Sequence, residues 1–270
     1  MKIIKIRHLA LALMFVSSLL WSTLRAATYA VTVDKINYSI DTETGEATCT
    51  GSTSENLTKK NVIILDNVSY NGTDYPVTSI ESRAFQFCAG LTGSLTIGEN
   101  VKSIGNSAFS GCTGLTGSLT IVENVQSIGN YAFNGCKGFN GSLTIGENVE
   151  SIGERAFYGC SGFNGSLIIG NNVESIGEYA FQNCSGFTGS LTIGENVKSI
   201  GNFAFNGCSG FTGSLTIPNS VTTIGPYAFN GCKGFTGSLT IPNSVQSIGN
   251  WTFLGCSGSK KDKKGKVQSG

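Results

Sequence analysis

The stretch LTGSLTIGENVKSIGNSAFSGCTG, residues 91–114, decides the fold because the chain repeats it with a fixed period of 24 residues. Seven copies follow one another without an insertion from Leu91 to Gly258. A single unit of this kind cannot bury its apolar side chains, whereas stacked neighbours bury a continuous core. The period therefore predicts a solenoid in which every coil has the same path length.

The pattern within one coil predicts short strands joined by tight turns. Leu95-Thr96-Ile97 alternates apolar and polar residues, as a strand with one buried face does, and Val101 to Ile104 is a second extended segment. Ala108-Phe109 falls on a 3₁₀ or irregular turn, because the surrounding glycines disfavour a helix. We expect the Leu-Thr-Ile segments to stack into a parallel β-sheet on one face, on the order of 35–40 Å long. Irregular or 3₁₀ segments form the other face, with little α-helix.

The N-terminal residues have the composition of a secretory signal peptide. Basic residues precede an apolar run from Leu9 to Leu20, which is too short for a membrane span, and small residues follow at Ala26 and Ala27. We expect residues 1–26 to be removed on export. The remaining chain has 14 basic and 17 acidic residues, a net charge of −3, which argues against a nucleic-acid-binding role.

Three further segments depart from the repeat. Residues 27–60 alternate around a glycine-containing turn and predict a small β-hairpin cap. Residues 61–90 are a degenerate first repeat with an inserted hairpin at Asn71-Gly72, a dipeptide that favours a type I′ turn. Residues 259–270, rich in lysine, predict a basic disordered tail after the seven repeats at 91–258.

The string LTIPNSVTTIGPYAFNGC, residues 215–232, resembles the BspA-like leucine-rich repeats of bacterial surface proteins. The resemblance spans roughly residues 62–258, although the usual repeat is one residue shorter. It implies an extracellular right-handed solenoid used for adhesion or for binding host or bacterial proteins. It implies no catalytic residues and no cofactor, in keeping with the sole histidine, His8, lying inside the signal peptide.

A ladder of cysteines recurs at the repeat period and leaves three interpretations open. The thiols are buried free side chains, disulfides between neighbouring coils, or ligands of a soft metal ion. Parallel Cβ vectors in an in-register ladder oppose the disulfide geometry, and we predict free thiols and no metal. The ladder consists of Cys88, Cys112, Cys136, Cys160, Cys184, Cys208, Cys232 and Cys256.

Two other columns are candidate binding surfaces. An outward threonine ladder either lines the concave face used for ligands or simply stabilises the sheet: Thr96, Thr120, Thr144, Thr192, Thr216 and Thr240, with Ile168 interrupting it. A second column, two residues before each phenylalanine of the Ala-Phe pair, has the aromatic and arginine chemistry of binding hot spots, with lateral packing between coils as the alternative. Its members are Tyr131, Arg155, Tyr179, Phe203, Tyr227 and Trp251.

Stacked acidic residues form one more column, at Glu99, Glu123 and Glu147. Calcium bridging and ordinary solvated charge are the two interpretations, and the absence of an Asp-rich loop favours the second.

The sequence thus predicts a non-enzymatic, secreted or cell-surface protein that mediates protein–protein interaction, with adhesion to host or bacterial surface components as the expected role. The alternative is a structural solenoid that self-associates end to end and has no dedicated ligand.

Overall fold

The computed structural model describes residues 28–52, 59–257, 259–261 and 267–268. The expected signal peptide lies outside these residues. Within them the chain forms strands and turns only, and no described helix is long and apolar enough to cross a membrane. The strands are β1 (Thr28–Val33), β2 (Ile36–Asp41), β3 (Glu46–Gly51), β4 (Lys59–Ile63), β5 (Asn67–Tyr70), β6 (Thr73–Ile80), β7 (Leu91–Thr96), β8 (Ser103–Ile104), β9 (Leu119–Ile121), β10 (Ser127–Ile128), β11 (Leu143–Ile145), β12 (Ser151–Ile152), β13 (Leu167–Ile169), β14 (Ser175–Ile176), β15 (Leu191–Thr192), β16 (Ser199–Ile200), β17 (Leu215–Thr216), β18 (Thr223–Ile224), β19 (Ser238–Thr240), β20 (Ser247–Ile248), β21 (Ser259–Lys261) and β22 (Val267–Gln268).

The strands stack into a parallel β-solenoid of about seven turns, which confirms the predicted fold class. One twelve-stranded sheet runs the whole length in the order β1-β2-β3-β6-β8-β10-β12-β14-β16-β18-β20, with β5 beside β6. Each coil contributes its Ser-Ile dipeptide, or Thr-Ile in β18, to this sheet. Pairing is in register at the repeat period, as in Ser103 with Ser127 and Ile104 with Ile128.

The continuous sheet is not the one expected from the sequence. The Leu-Thr-Ile strands form three separate groups, β4-β7, β9-β11-β13-β15 and β17-β19-β21-β22. The interruptions fall before β9 and β17, where Gly117 and Gly213 adopt left-handed φ angles of 84° and 79°. The equivalent glycines Gly141, Gly165 and Gly189 do not. A left-handed residue changes the chain direction, and both interruptions coincide with one. Gly93, with a φ of 77°, lies inside β7, where the pairing with β4 continues through a register shift.

The core consists of ladders that repeat one residue type from coil to coil. In the coil that begins at Phe139, eight side chains are exposed by 2% or less: Phe139, Leu143, Ile145, Val149, Ile152, Ala156, Phe157 and Cys160. Burial of a large apolar side chain stabilises the fold by about 1.5–3 kcal/mol. Phenylalanine rings stack in two parallel columns, from Phe85 to Phe253 and from Phe139 to Phe235, with centroids 5.0–5.7 Å apart.

Three antiparallel strands, β1, β2 and β3, extend the long sheet at its N-terminal end, where the sequence predicts a hairpin cap. β3 joins the solenoid by pairing in parallel with β6. The β5-β6 hairpin turns at Asn71 and Gly72, whose φ angles of 50° and 79° are those of a type I′ turn. In the segment expected to be a disordered tail, β21 pairs with β19 and β22 with β21.

All nine cysteines are free thiols, and seven of them are buried. In each regular coil the Sγ atom donates a hydrogen bond to the carbonyl of the ladder phenylalanine one coil earlier, for example Cys160 to Phe133 O at 3.0 Å. No group of three or more His, Cys, Asp or Glu side chains suited to a metal ion occurs in the described ranges. The geometry supports the free-thiol interpretation, because the seven ladder thiols from Cys112 to Cys256 are used as hydrogen-bond donors between coils.

Burial raises the pKa of the seven buried thiols above the usual 9.0, to about 12 for Cys49 and well above 9.0 for Cys136, Cys160 and Cys184. The unfolded chain therefore loses protons from pH 9 upward while the native state keeps them, so stability holds below pH 9 and falls as the pH rises. For seven buried thiols the slope is about 5 kcal/mol per pH unit at pH 9, where the unfolded thiols are half ionised, and approaches about 10 at higher pH. We expect the urea midpoint, measured under reducing conditions, to collapse between pH 9 and pH 10.

The control is the triple variant Cys136→Ala, Cys160→Ala, Cys184→Ala. It should reduce the alkaline slope by about three-sevenths, since each thiol contributes about the same term. An unchanged slope would show that other groups set the alkaline limit.

Candidate functional site

The aromatic stripe, defined as Tyr131, Arg155, Tyr179, Phe203, Tyr227 and Trp251, lies on the turns that directly follow the Ser-Ile or Thr-Ile strands. Every one of its residues has a left-handed backbone, with φ between 51° and 60°. Arg83 and Ser107 precede the stripe in the same column and share this conformation, with φ of 64° and 57°. A left-handed conformation costs a non-glycine residue about 1–2 kcal/mol, so the turn imposes strain once in every coil.

Hydrogen bonds between coils accompany this conformation. The N–H of Tyr131 donates to Glu154 O at 2.8 Å, and the N–H of Phe133 donates to Ala156 O at 2.7 Å. These two turn N–H groups thus donate to the following coil. The N–H of Gly129, which directly follows the sheet strand, donates instead to Ile104 O of the preceding coil at 2.9 Å. Buried backbone groups need partners, and the left-handed residue allows the turns to find them in the next coil.

The side chains of the stripe form one continuous stack. Ring centroids are 5.0 Å apart for Tyr179–Phe203, 4.6 Å for Phe203–Tyr227 and 5.2 Å for Tyr227–Trp251. The Arg155 guanidinium carbon lies 5.6 Å from the Tyr131 ring centroid and 4.3 Å from that of Tyr179, so a cation–π contact links the two rings. The structure therefore brings all six predicted residues together.

Polar contacts anchor the Arg155 end of the stack. Arg155 Nη1 donates to the Tyr131 hydroxyl at 2.7 Å and pairs with the Glu154 carboxylate, which also accepts from the Tyr131 hydroxyl at 3.3 Å. Trp251 is 57% exposed, while the other five side chains are half-buried. Lateral packing and an outward surface coexist: the rings from Tyr179 to Trp251 stack on their neighbours, while Trp251 is exposed and the other five side chains remain partly accessible.

The threonine ladder also points outward. Thr96, Thr120, Thr192, Thr216 and Thr240 are exposed and Thr144 is half-buried, and Ile168, which interrupts them, is 41% exposed. Short polar side chains of this kind offer few of the anchors that dominate protein interfaces.

The acidic column has a role that the sequence analysis missed. Its side chains accept hydrogen bonds from the backbone of the following coil: Glu147 N–H to Glu123 Oε2 at 3.1 Å, and Asn171 N–H to Glu147 Oε2 at 2.7 Å. Asn171, at the next position of the column, continues it by accepting from the Glu195 N–H at 3.0 Å. The available signal was that each residue here carries a side-chain oxygen.

An open polar groove crosses several coils beside this column and was also missed. Its volume is about 470 Å³, and its lining is Gln126, Asn148, Glu150, Asn172, Glu174 and Asn196. Glu174 is paired with Lys198 at 2.7 Å. Amide and carboxylate side chains on a solvated surface leave this groove without the apolar walls typical of small-molecule sites.

Comparison with known proteins gives one family and several solved structures. The family model described as BspA type leucine rich repeat region, in six copies, matches residues 78–212 and 188–262. The chain is similar to the leucine-rich repeat protein of T. pallidum, with 21% identity over 85% of this chain and 90% of that one and a TM-score of 0.60. No curated protein matches it at a significant level.

Two further solved structures share less of the geometry. A leucine-rich repeat protein from Bacteroides ovatus has 20% identity over 84% of this chain and 92% of that one, with a TM-score of 0.28. A leucine rich cell surface protein from Faecalibacterium prausnitzii has 19% identity over 90% and 99%, with a TM-score of 0.30.

Glycine substitution separates backbone strain from stacking in this column. Ser107 has no ring to stack, so Ser107→Gly removes left-handed strain and should raise the free energy of unfolding by about 0.5 kcal/mol after the entropic cost of glycine. Tyr179→Gly removes the same strain but also two stacking contacts, and should lower it by about 1–2 kcal/mol. Urea denaturation measures the free energy of unfolding of both variants. Changes of the same sign in the two variants would show that stacking does not offset the backbone strain.

Proposed function

The chain belongs to the BspA-type leucine-rich repeat family, and from this premise we propose that it is a secreted or cell-surface protein that binds other proteins. The proposed partners are components of host or bacterial surfaces, with adhesion as the biological role. The signal-peptide pattern of residues 1–26 supports export, and the family supports a scaffold without catalytic activity.

The observation that carries the proposal is the continuous aromatic stripe. The buried columns of the coil are nearly constant and are explained by stacking alone. The outward columns vary, and most of them hold polar or charged residues, whereas the stripe holds tyrosine, phenylalanine, tryptophan and arginine. These are the residue types enriched at the energetic centres of protein interfaces. Stacking at 4.6–5.2 Å fixes the rings of Tyr179, Phe203, Tyr227 and Trp251 before a partner arrives, which lowers the entropic cost of binding.

The stripe also explains why binding would be selective for protein surfaces. Its rings present edges and hydroxyl groups along several coils, and Arg155 and Glu154 add a charged pair at one end. This combination is that of a long, flat contact area with aromatic anchors and a polar rim. The threonine ladder is assigned to the stability of the sheet.

The test is a triple substitution within the stripe, Tyr179→Ser, Phe203→Ser and Tyr227→Ser. Serine already occupies this column at Ser107 with the same left-handed φ, so the coils should remain folded. We expect binding to a panel of purified host matrix proteins and to whole bacterial cells to fall at least about 30-fold, because loss of one hot-spot side chain costs about 2 kcal/mol or more.

The matched control is Thr120→Ala, Thr216→Ala and Thr240→Ala, which alters the threonine ladder and leaves the stripe intact. Its binding should equal that of the parent chain. Retained binding by the stripe variant, with an unchanged circular dichroism spectrum, would reject the stripe as the contact surface.

A further inference from the structure

The open polar groove in the middle of the solenoid contains no residue of the aromatic stripe. It has a volume of about 470 Å³ and crosses four consecutive coils, because its lining begins at Gln126 and ends at Asn196. Parallel strands are about 4.8 Å apart, so three coil steps make the groove roughly 14 Å long. Its shape is that of a site for an extended ligand that lies along the solenoid axis.

One column of side chains gives the groove hydrogen-bonding groups that the fold does not use. Earlier in this column the side-chain amide of Asn124 donates to Glu99 O of the preceding coil at 2.6 Å, and later in it the Ser220 hydroxyl donates to Val197 O at 2.7 Å. Three asparagines between them make no such bond to a described backbone carbonyl, and one long contact of 3.5 Å joins two of their amides. These three are Asn148, Asn172 and Asn196. Their amides are therefore available to a ligand.

The groove carries little unpaired charge. Of its two carboxylates, Glu174 forms an ion pair with Lys198 at 2.7 Å, while Glu150 has no ion pair with another described residue. The other side chains of the lining are neutral amides. An anionic ligand would be repelled by Glu150, and a cationic segment would find only this one free charge. The lining therefore favours a ligand without net charge.

The chemistry of the lining fits a sugar chain better than a peptide. An amide offers a donor and an acceptor side by side, and a carboxylate offers two acceptors. Both arrangements match neighbouring hydroxyl groups of a pyranose ring. Extended peptides instead gain specificity from pockets that take their side chains, whereas all six lining side chains of this groove are polar.

The translation from coil to coil selects among sugar chains. Strands repeat at about 4.8 Å, and the buried rings of Phe157 and Phe181, one coil apart, have centroids separated by 5.2 Å. An extended β-1,4-linked hexopyranose chain advances by nearly the same distance per sugar, so successive sugars meet successive asparagines. An α-1,4-linked chain curls into a helix and loses this match.

We propose that the groove binds a neutral β-1,4-linked polysaccharide, with one sugar for each coil. The amides of Asn148, Asn172 and Asn196 hold three successive sugars, and Gln126 and Glu150 contact the chain toward the N-terminal end of the groove. Because the groove is separate from the aromatic stripe, this site adds a second class of ligand to the proposed binding of proteins.

Isothermal titration calorimetry of residues 27–270 with neutral β-1,4-linked hexasaccharides tests the site. The probes are cellohexaose, mannohexaose and chitohexaose, and maltohexaose, the α-1,4-linked isomer of cellohexaose, is the control ligand. We expect saturable binding of at least one probe and none of maltohexaose. Added salt should leave the dissociation constant unchanged, because salt screens only interactions between charges. Failure of all three probes to bind, or equal binding of maltohexaose, would overturn the proposal.

The triple variant Asn148→Ala, Asn172→Ala, Asn196→Ala should raise the dissociation constant at least about tenfold, because three hydrogen-bonding amides are lost. The matched control removes three asparagines from another column, in Asn134→Ala, Asn206→Ala, Asn230→Ala, and should bind like the parent chain.

Two further outcomes separate this site from the aromatic stripe and from a protein-docking site. The stripe variant Tyr179→Ser, Phe203→Ser, Tyr227→Ser should keep its affinity for the sugar even if it no longer binds proteins. Unchanged sugar affinity in the groove variant, with an unchanged circular dichroism spectrum, would reject the groove. Displacement of the sugar by pentalysine would show that the groove takes cationic segments and would also reject the proposal.

Discussion

Backbone hydrogen bonding from each coil to the next, repeated at the same positions in every coil, is the constraint on which the rest of the structure depends. Such bonds form only if every coil returns to the same place after the same number of residues, which is why the period of 24 admits no insertion from Leu91 to Gly258. Once that condition holds, each column of the repeat becomes a ladder in space. The phenylalanine stacks, the thiol-to-carbonyl bonds and the aromatic stripe are all results of this one translation.

The aromatic stripe illustrates how a ladder can support an unfavourable backbone. Left-handed φ angles normally select glycine or asparagine, yet the stripe holds tyrosine, phenylalanine, tryptophan and arginine. Each side chain gains a stacked neighbour on one or both sides, and this gain of about 0.5–1.5 kcal/mol per contact offsets the strain. Because strain and stacking oppose each other in this column, folding alone does not explain why its residues are aromatic. This supports the column as a binding surface.

Much of the fold could be predicted from the sequence, because apolar residues that recur at the repeat period indicate which positions are buried. The apolar columns, the type I′ turn at Asn71-Gly72 and the outward threonines follow directly from periodicity and turn chemistry. The identity of the continuous sheet could not, because the interruptions of the other sheet coincide with left-handed φ angles at Gly117 and Gly213, whose neighbouring residues are nearly identical to those around Gly189. The left-handed turn could not be predicted either, because tyrosine and tryptophan do not indicate a positive φ.

The opposed directions of the bonds between coils have an electrical consequence. Donors on the turns point toward the C-terminal end, as Phe133 does toward Ala156, while donors beside the sheet, such as Gly129, point the other way. Peptide dipoles on the two sides therefore largely cancel, whereas in an α-helix they add into a macrodipole. Further coils can be added without accumulating an axial field, so the length of such a rod is free to vary with the number of repeats.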